Sequence, residues 1–444
     1  MLTAAQALAK FVAEFTFDKI PNVVVERAKA CIIDTVAAAM FGSRYPWSRI
    51  VVDYACRYGG NGSCSIIGFP DRRVHAPYAA LANGVLAHSY ELDSVGGAHA
   101  GTTLLPAVLA ACEETNADGK TAITAFVAGC EVTFRLAAAA YQRPEKWGFH
   151  GPGIVGPYGS TVATGRVLGL NEEQLGHALG IAGSLSSGLL AFTESKQGGM
   201  VKRLHLGRVP ESGILAARLA SAGYTGPETI LEGKFGFLET YCREGHSDPK
   251  LLTADLCKNW KTLLIGLKRY ACHGYAHAPV QSLRELMTEH QFQGRDVANI
   301  LVEGSHRFLS HHNIREPSDI MQAQYSVPFC VALSLYRDPE DPKAFDVSAI
   351  NDPDIRATCR NVELRTEDGC SDKFTRVTVW LKAGQKLIRE CHSYKGMASN
   401  PLSRAELRRK FMLLSSGTDE TVAGRLFARL EHLEAQPRFT LELS

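Results

Sequence analysis

The chain has 444 residues, 45% hydrophobic and 21% charged, with 48 Lys and Arg against 46 Asp and Glu and a formal net charge of +2. That composition is globular. The near-balanced charge gives no electrostatic pull toward nucleic acid or an anionic membrane, and the length exceeds one ordinary core, so two domains are expected.

From the N-terminus the texture is helix after helix. Leu2, Ala5, Leu8, Phe11, Val12 and Phe15 recur at helical spacing, which is not the pattern of a signal peptide. Pro21 opens a second helix, with a stripe of Val24, Ala28, Cys31, Ile32 and Val36 that Gly42 ends. Tyr78 to His88, Thr103 to Glu114, Thr121 to Tyr141, Ser160 to Leu168 and Val209 to Ala222 read alike, and Asn171 starts another helix. The longest charge-free run, Gln174 to Thr193, approaches bilayer length but holds four glycines, four hydroxyl residues and a histidine. It is expected to be one helix buried inside a soluble protein, placed in the cytoplasm or an organelle matrix.

Near Lys268 the pattern changes. Asn299 to Glu303, Val362 to Arg365, Phe374 to Leu381 and Lys386 to Arg389 alternate as strands, with helices at Ala276 to His290 and Ala323 to Leu335. After Gly396 helical spacing returns. The expected fold is mainly α: a helical domain over 1–266, completed by 398–444, plus a smaller α+β domain over 267–397. A cleft between two such domains is a favoured ligand site.

The twelve cysteines are scattered without a CxxC pair, so neither a zinc ribbon nor a thioredoxin-like site is expected. Free thiols in a reducing compartment fit better.

Four constellations carry potential chemistry. The first is His88-Ser-Tyr-Glu91-Leu-Asp93-Ser94, followed by His99. Either His99 is a general base, or Asp93 and Ser94 cap the next helix and His99 lies on the surface. The second, Gly151-Pro-Gly153-Ile-Val-Gly156, matches GxGxxG but lacks the preceding strand and the later acid, so it is not a dinucleotide site. It reads as a helix start that brings His150 and backbone N–H groups toward an anion. The third is Lys202-Arg203-Leu-His205 with Arg208, a cationic face for carboxylates or a solvated helix end. The fourth, Lys268 to His277, places His273 and His277 at i, i+4, a spacing open to metal ligation but without HExxH or an obvious third ligand; acid/base work is the stronger reading. His311-His312 reads as an exposed loop pair.

Taken together these blocks resemble the MmgE/PrpD family, whose members include 2-methylcitrate dehydratase, cis-aconitate decarboxylase and iminodisuccinate epimerase. The resemblance runs through His88 to Ser94, Gly148-Phe-His150, Met200-Val-Lys202-Arg203-Leu-His205-Leu-Gly207, Gly223-Tyr-Thr-Gly-Pro227 and Lys268 to His277, with Ala271 in place of a proline. It implies a large helical domain with an α+β lid, a homodimer, no metal or organic cofactor, and a pocket lined by Asp93, His99, His150, Lys202 and His277. Glu91, Ser94 and His99-Ala-Gly depart from the dehydratase-like pattern. Phe329 falls where a pocket tyrosine is expected, with Tyr325 nearby as a replacement.

The resulting expectation is cofactor-free acid/base chemistry on a small di- or tricarboxylate. Lys202, Arg203 and Arg208 hold carboxylates, His99 or His150 moves a proton, and His277 or Asp93 is the second acid/base group. His205, His273 and Tyr325 complete the expected substrate contacts. A dehydratase or decarboxylase leads, an epimerase or isomerase follows, and a non-catalytic carboxylate-binding paralogue is the third reading.

Overall fold

The computed structural model describes residues 2–96, 98–141, 144–195, 199–243, 245–306, 312–367 and 374–442. The chain forms two compact units. One comprises Met1–Ser89, Asp93–Ile265 and Ala405–Ser444, and the other Tyr90–Leu92 with Gly266–Arg404.

The first unit is helix on helix. Gly151–Leu168 lies at its centre, against Gly119–Ala139, Ala100–Thr115 and Val201–Ser221, and Ala76–Ala87 packs along the last of these. Missing side chains allow the close approach. A Cβ on Gly159 would sit 1.8 Å from Thr133 Oγ1, and one on Gly213 would sit 2.5 Å from Ser160 Cβ. Helix ends carry local signals: Thr3 with Gln6 and Asn171 with Gln174 form capping boxes, and Gly169 closes its helix at φ +72°. Gly119–Ala139 is long and apolar enough to cross a membrane by length and composition, but 89% of its apolar window is buried within the fold. It carries the buried pair Glu131–Arg135, and Glu131 accepts the Thr262 backbone N–H at 2.9 Å.

Several sequence expectations change here. The central helix starts at Gly151 rather than Ser160, and Pro157 lies inside it. The helix expected from Val209 starts at Val201 and takes Pro210 into its interior. Gln174 to Thr193 is not one buried helix: the helix ends at Leu185, and a short 3₁₀ turn follows at Leu190–Glu194. A helix at Pro46–Tyr58 and a hairpin pairing Cys64–Ile66 with Phe69–Val74 escaped the sequence reading.

The second unit carries a mixed four-stranded sheet ordered Val362–Thr366, Val297–Gly304, Thr375–Leu381, Lys386–Cys391. The first pair is parallel, with Ile300 beside Val362, and the other two pairs are antiparallel. Gly274–His290 packs on the sheet, and Val327–Tyr336 packs on that helix. The expected single helix from Ala323 to Leu335 is two, Ile320–Tyr325 and Val327–Tyr336, because Ser326 is extended and caps the second through Phe329 N. Among the described residues every cysteine is a free thiol, so no disulfide braces either unit.

Candidate functional site

In the first unit one carboxylate oxygen gathers three donors. Asp93 Oδ2 accepts from His99 Nδ1 at 2.7 Å, Thr102 Oγ1 at 2.8 Å and His88 Nδ1 at 3.1 Å. Local structure explains the convergence. Ala76–Ala87 ends at His88, and Ala100–Thr115 begins at His99, one helical turn before Thr102. His99 is in the left-handed region at φ 49°, a conformation that costs a non-glycine residue energy and clusters at functional sites. The helix start is capped by Ser94, whose Oγ accepts from Gly101 N at 3.0 Å; Asp93 does not cap.

A carboxylate only accepts, so His99 Nδ1 carries the proton and Nε2 presents its lone pair. The His99 side chain is 19% exposed while Asp93 is sealed, which is the arrangement of a base held by a buried orienting group. Burial lowers His88 to about 4, with the Lys202 charge adding to the effect and the Asp93 charge opposing it. His88 is therefore neutral near pH 7.

The second group comes from two helix beginnings. His150 precedes Gly151–Leu168, and Lys202 and His205 sit in the first turns of Val201–Ser221. His150 and His205 approach Nδ1 to Nδ1 at 3.2 Å, and Phe192 lies edge-on to both rings. His150 is buried and His205 half-buried. Burial, then the Lys202 charge, then the other histidines push His150 well below its usual value. Burial and Lys202 lower His205 as well. Lys202 is only 3% exposed, so its cation acts where screening is weak. Its charge acts on both His88 and His150, and protonation of His88, His205 or His99 would disfavour that of His150. Asp93, His99, His150, Lys202 and His205 thus form one constellation.

Two expected carboxylate ligands are placed differently. Arg208 is exposed and paired with Glu211, outside the constellation. Arg203 is buried, but its Nε donates to Ser89 O at 2.9 Å and its guanidinium lies over Trp47 at 4.6 Å. Trp47 Nε1 in turn donates to Ser89 Oγ at 2.6 Å. Arg203 therefore braces the segment that follows His88.

In the second unit His277 is fully buried between Tyr270 and Tyr394, at ring distances of 5.2 and 5.1 Å. Neither ring nitrogen has a hydrogen bond of good geometry among the described residues, though the imidazole lies near the Cys272 thiol. Burial opposes ionisation of Cys272. The hydrogen bond from Cys330 and the influence of His277 and Lys268 outweigh it and bring the thiol down to about 6. His273 does not share this cluster. It stacks on His312 at 4.2 Å, beside Tyr325 and Tyr275. His312, expected on an exposed loop, is 4% exposed, and its Nδ1 bonds Tyr325 O at 3.1 Å. His311 lies outside the described residues. Lys268 pairs with Glu91 at 2.7 Å, both buried, and Glu91 is itself left-handed at φ 55°.

His88, Asp93 and His99 place one donor atom each within 4.8 Å of one another, a set that could hold a cation. The His–Asp separations of 2.7 and 3.1 Å are hydrogen-bond lengths, shorter than the ~3.3 Å edge of a tetrahedral zinc site with bonds near 2.0 Å. As arranged, the trio is hydrogen-bonded. His88 and Thr102 were not singled out from sequence as site residues. The signal for them is helical geometry: Thr102 lies three residues beyond His99, and His88 ends the helix that delivers Asp93.

The MmgE/PrpD N-terminal domain matches residues 6–250 and the C-terminal domain residues 270–431. A cis-aconitate decarboxylase of Aspergillus terreus is 34% identical over 283 residues, covering 61% of this chain and 57% of that protein. The match thus spans little more than half of that relative's length. The Homo sapiens cis-aconitate decarboxylase is 28% identical over 439 residues, covering 93% and 88%. A cis-aconitate decarboxylase-like protein of Aspergillus oryzae is 28% identical over 440 residues, covering 92% and 90%. With both domains matched across most of its length, the chain belongs to the MmgE/PrpD family.

Proposed function

We propose that this protein is a carbon–carbon lyase that removes one carboxylate of a small unsaturated tricarboxylate, of the cis-aconitate type, as CO₂. The observation that carries the reading is the buried Lys202 cation set among imidazoles held neutral beside it. Such a site favours an anion, and a bound carboxylate offsets the Lys202 charge and so favours uptake of a proton by the adjacent imidazoles. Relatives named cis-aconitate decarboxylase supply the substrate class.

In this reading Lys202 meets a substrate carboxylate. The C–C bond to the departing carboxylate breaks, and its electron pair shifts into the conjugated skeleton. The carbon α to a remaining carboxylate gains that density, which the Lys202 charge stabilises. One protonated imidazole, His150 or His99, delivers a proton to that carbon. Asp93 holds the His99 ring in place through its Nδ1.

The test is a panel of di- and tricarboxylates in D₂O followed by ¹H NMR. Loss of CO₂ with one deuterium gained per turnover supports the lyase. Exchange of a substrate C–H without loss of carbon would identify an epimerase instead, and no reaction across the panel would leave only a binding role.

A further inference from the structure

His150 and His205 face each other through like atoms, Nδ1 to Nδ1, at 3.2 Å. At that distance one ring must donate and the other accept, since two lone pairs or two N–H groups would repel. The contact therefore couples the two tautomers: the ring that donates through Nδ1 leaves the other with its proton on Nε2. We propose that His205 is a positioning residue that donates its Nδ1–H to His150 and so fixes His150 with its proton on Nε2, as a neutral donor to a substrate carboxylate. This rests on the lyase reading above.

Burial decides which ring needs a neighbour to set it. His150 is buried, and with Nδ1 held by His205 only Nε2 is left to meet a ligand. His205 is half-buried, so water serves its remaining nitrogen in either tautomer. A carboxylate only accepts: an Nε2 lone pair repels it and an Nε2–H binds it. The surroundings hold the ring for that contact. The His150 backbone N–H donates to Gly188 O at 3.0 Å, and Phe192 lies edge-on to both rings, at 5.4 Å from His150 and 5.9 Å from His205.

The work is then divided between two imidazoles. While His205 donates, His150 Nδ1 takes no second proton, so His150 stays neutral through the turnover and no proton passes between these two rings. Burial and the Lys202 charge, which lower His150 well below its usual value, act in the same direction. The proton that carbon gains comes from His99. Its Nδ1–H stays on Asp93 at 2.7 Å while its side chain is partly exposed. Nε2 thus both takes the proton from solvent and hands it on, and the ring ends each turnover in the tautomer in which it began. The balance is one solvent proton to carbon for each CO₂ lost.

The first measurement needs no turnover. In ¹⁵N-histidine spectra of the free wild-type protein, His150 should show a protonated Nε2 and an unprotonated Nδ1, a preference lost in His205→Ala; the opposite tautomer in wild type overturns the proposal. The second is steady-state kinetics on cis-aconitate. His205→Ala should raise KM ~10-fold, as for loss of one hydrogen bond to a charged group, with kcat within about threefold of wild type. His205→Asn places an amide N–H near the position of Nδ1 and should recover most of that loss. Equal impairment of the two variants with the His150 tautomer unmoved marks a merely structural His205 and overturns the proposal, as does an unchanged KM in His205→Ala. His150→Gln keeps a donor near the position of Nε2 and should hold kcat within about tenfold; a fall of ~10²-fold or more at unchanged KM would make His150 the proton carrier and overturn the assignment. Failure of wild type on every tricarboxylate sinks the lyase reading, while the spectra of the free protein still decide whether His205 sets the tautomer.

Discussion

Asp93 Oδ2 lies 2.7 Å from His99 Nδ1, and the same oxygen also receives His88 and Thr102. Asp93 therefore sets both the tautomer and the direction of His99. Asp93→Asn keeps the size but offers an amide that can donate toward Nδ1 and turn the tautomer over. Turnover is expected to fall about 10²–10⁴-fold with the thermal midpoint little changed. Steady-state kinetics beside a melting curve check this; near-normal kcat would show that His99 is not held for catalysis.

Lys202 is expected to stabilise charge that grows during the reaction. Lys202→Met should lower kcat/KM by about 10²–10³-fold. Lys202→Arg should recover only part, because a planar fork does not replace a compact ammonium. The cation also holds His150 down, second only to burial, so the His150 imidazole should titrate at higher pH in Lys202→Met. A ¹H–¹⁵N titration of the two proteins reads that shift directly.

Acid should destabilise the first unit through its buried neutral histidines. His88 falls from 6.5 unfolded to about 4 folded, so between those values the unfolded chain binds more protons than the native one. Its contribution is complete above pH 6.5 and is lost as pH drops toward 4, reaching about 3 kcal/mol for this one group. His150, lowered in the same direction, steepens the loss. Denaturant melts from pH 7.5 to 4 should show this slope, and His88→Gln should flatten it.

In the second unit the buried Lys268–Glu91 pair gives a stability test independent of activity. Lys268→Met leaves a carboxylate buried beside a left-handed backbone and should cost about 3–5 kcal/mol. The double variant Lys268→Met with Glu91→Gln should be less destabilised than the single one. Urea melts of the three proteins decide it; an additive double variant would show that the two charges do not depend on each other.

Much of the fold was legible because most helices carry their own stop and start signals, as at Gly42, Asn171 and Gly169. The misplaced starts share a cause. Gly151, Pro152, Gly153, Pro157 and Pro210 are poor formers of helix interiors, yet helix packing overrides local propensity in both segments. The splitting of Gln174 to Thr193 at Ser186 and Gly188 likewise depends on tertiary bonds, including Ser187 N to Gly153 O. At the site, Asp93, His99, His150 and Lys202 stood out by residue type. The shared oxygen of Asp93 and the contact of His150 with His205 did not, because they join residues five to fifty-five apart through helix ends that no periodicity reveals. Arg208 and His312 were misjudged for a related reason: a cation near a site and a histidine pair in a loop look the same in sequence whether buried or exposed.

The most direct test of the central claim is the stoichiometry of carbon and proton on one substrate. Purified protein is given cis-aconitate in D₂O, and evolved CO₂ is measured alongside deuterium in the product by NMR. The account expects one CO₂ and one carbon-bound deuterium per molecule consumed, both abolished in Lys202→Met. Intact substrate, or substrate that exchanges its C–H while releasing no CO₂, would contradict it.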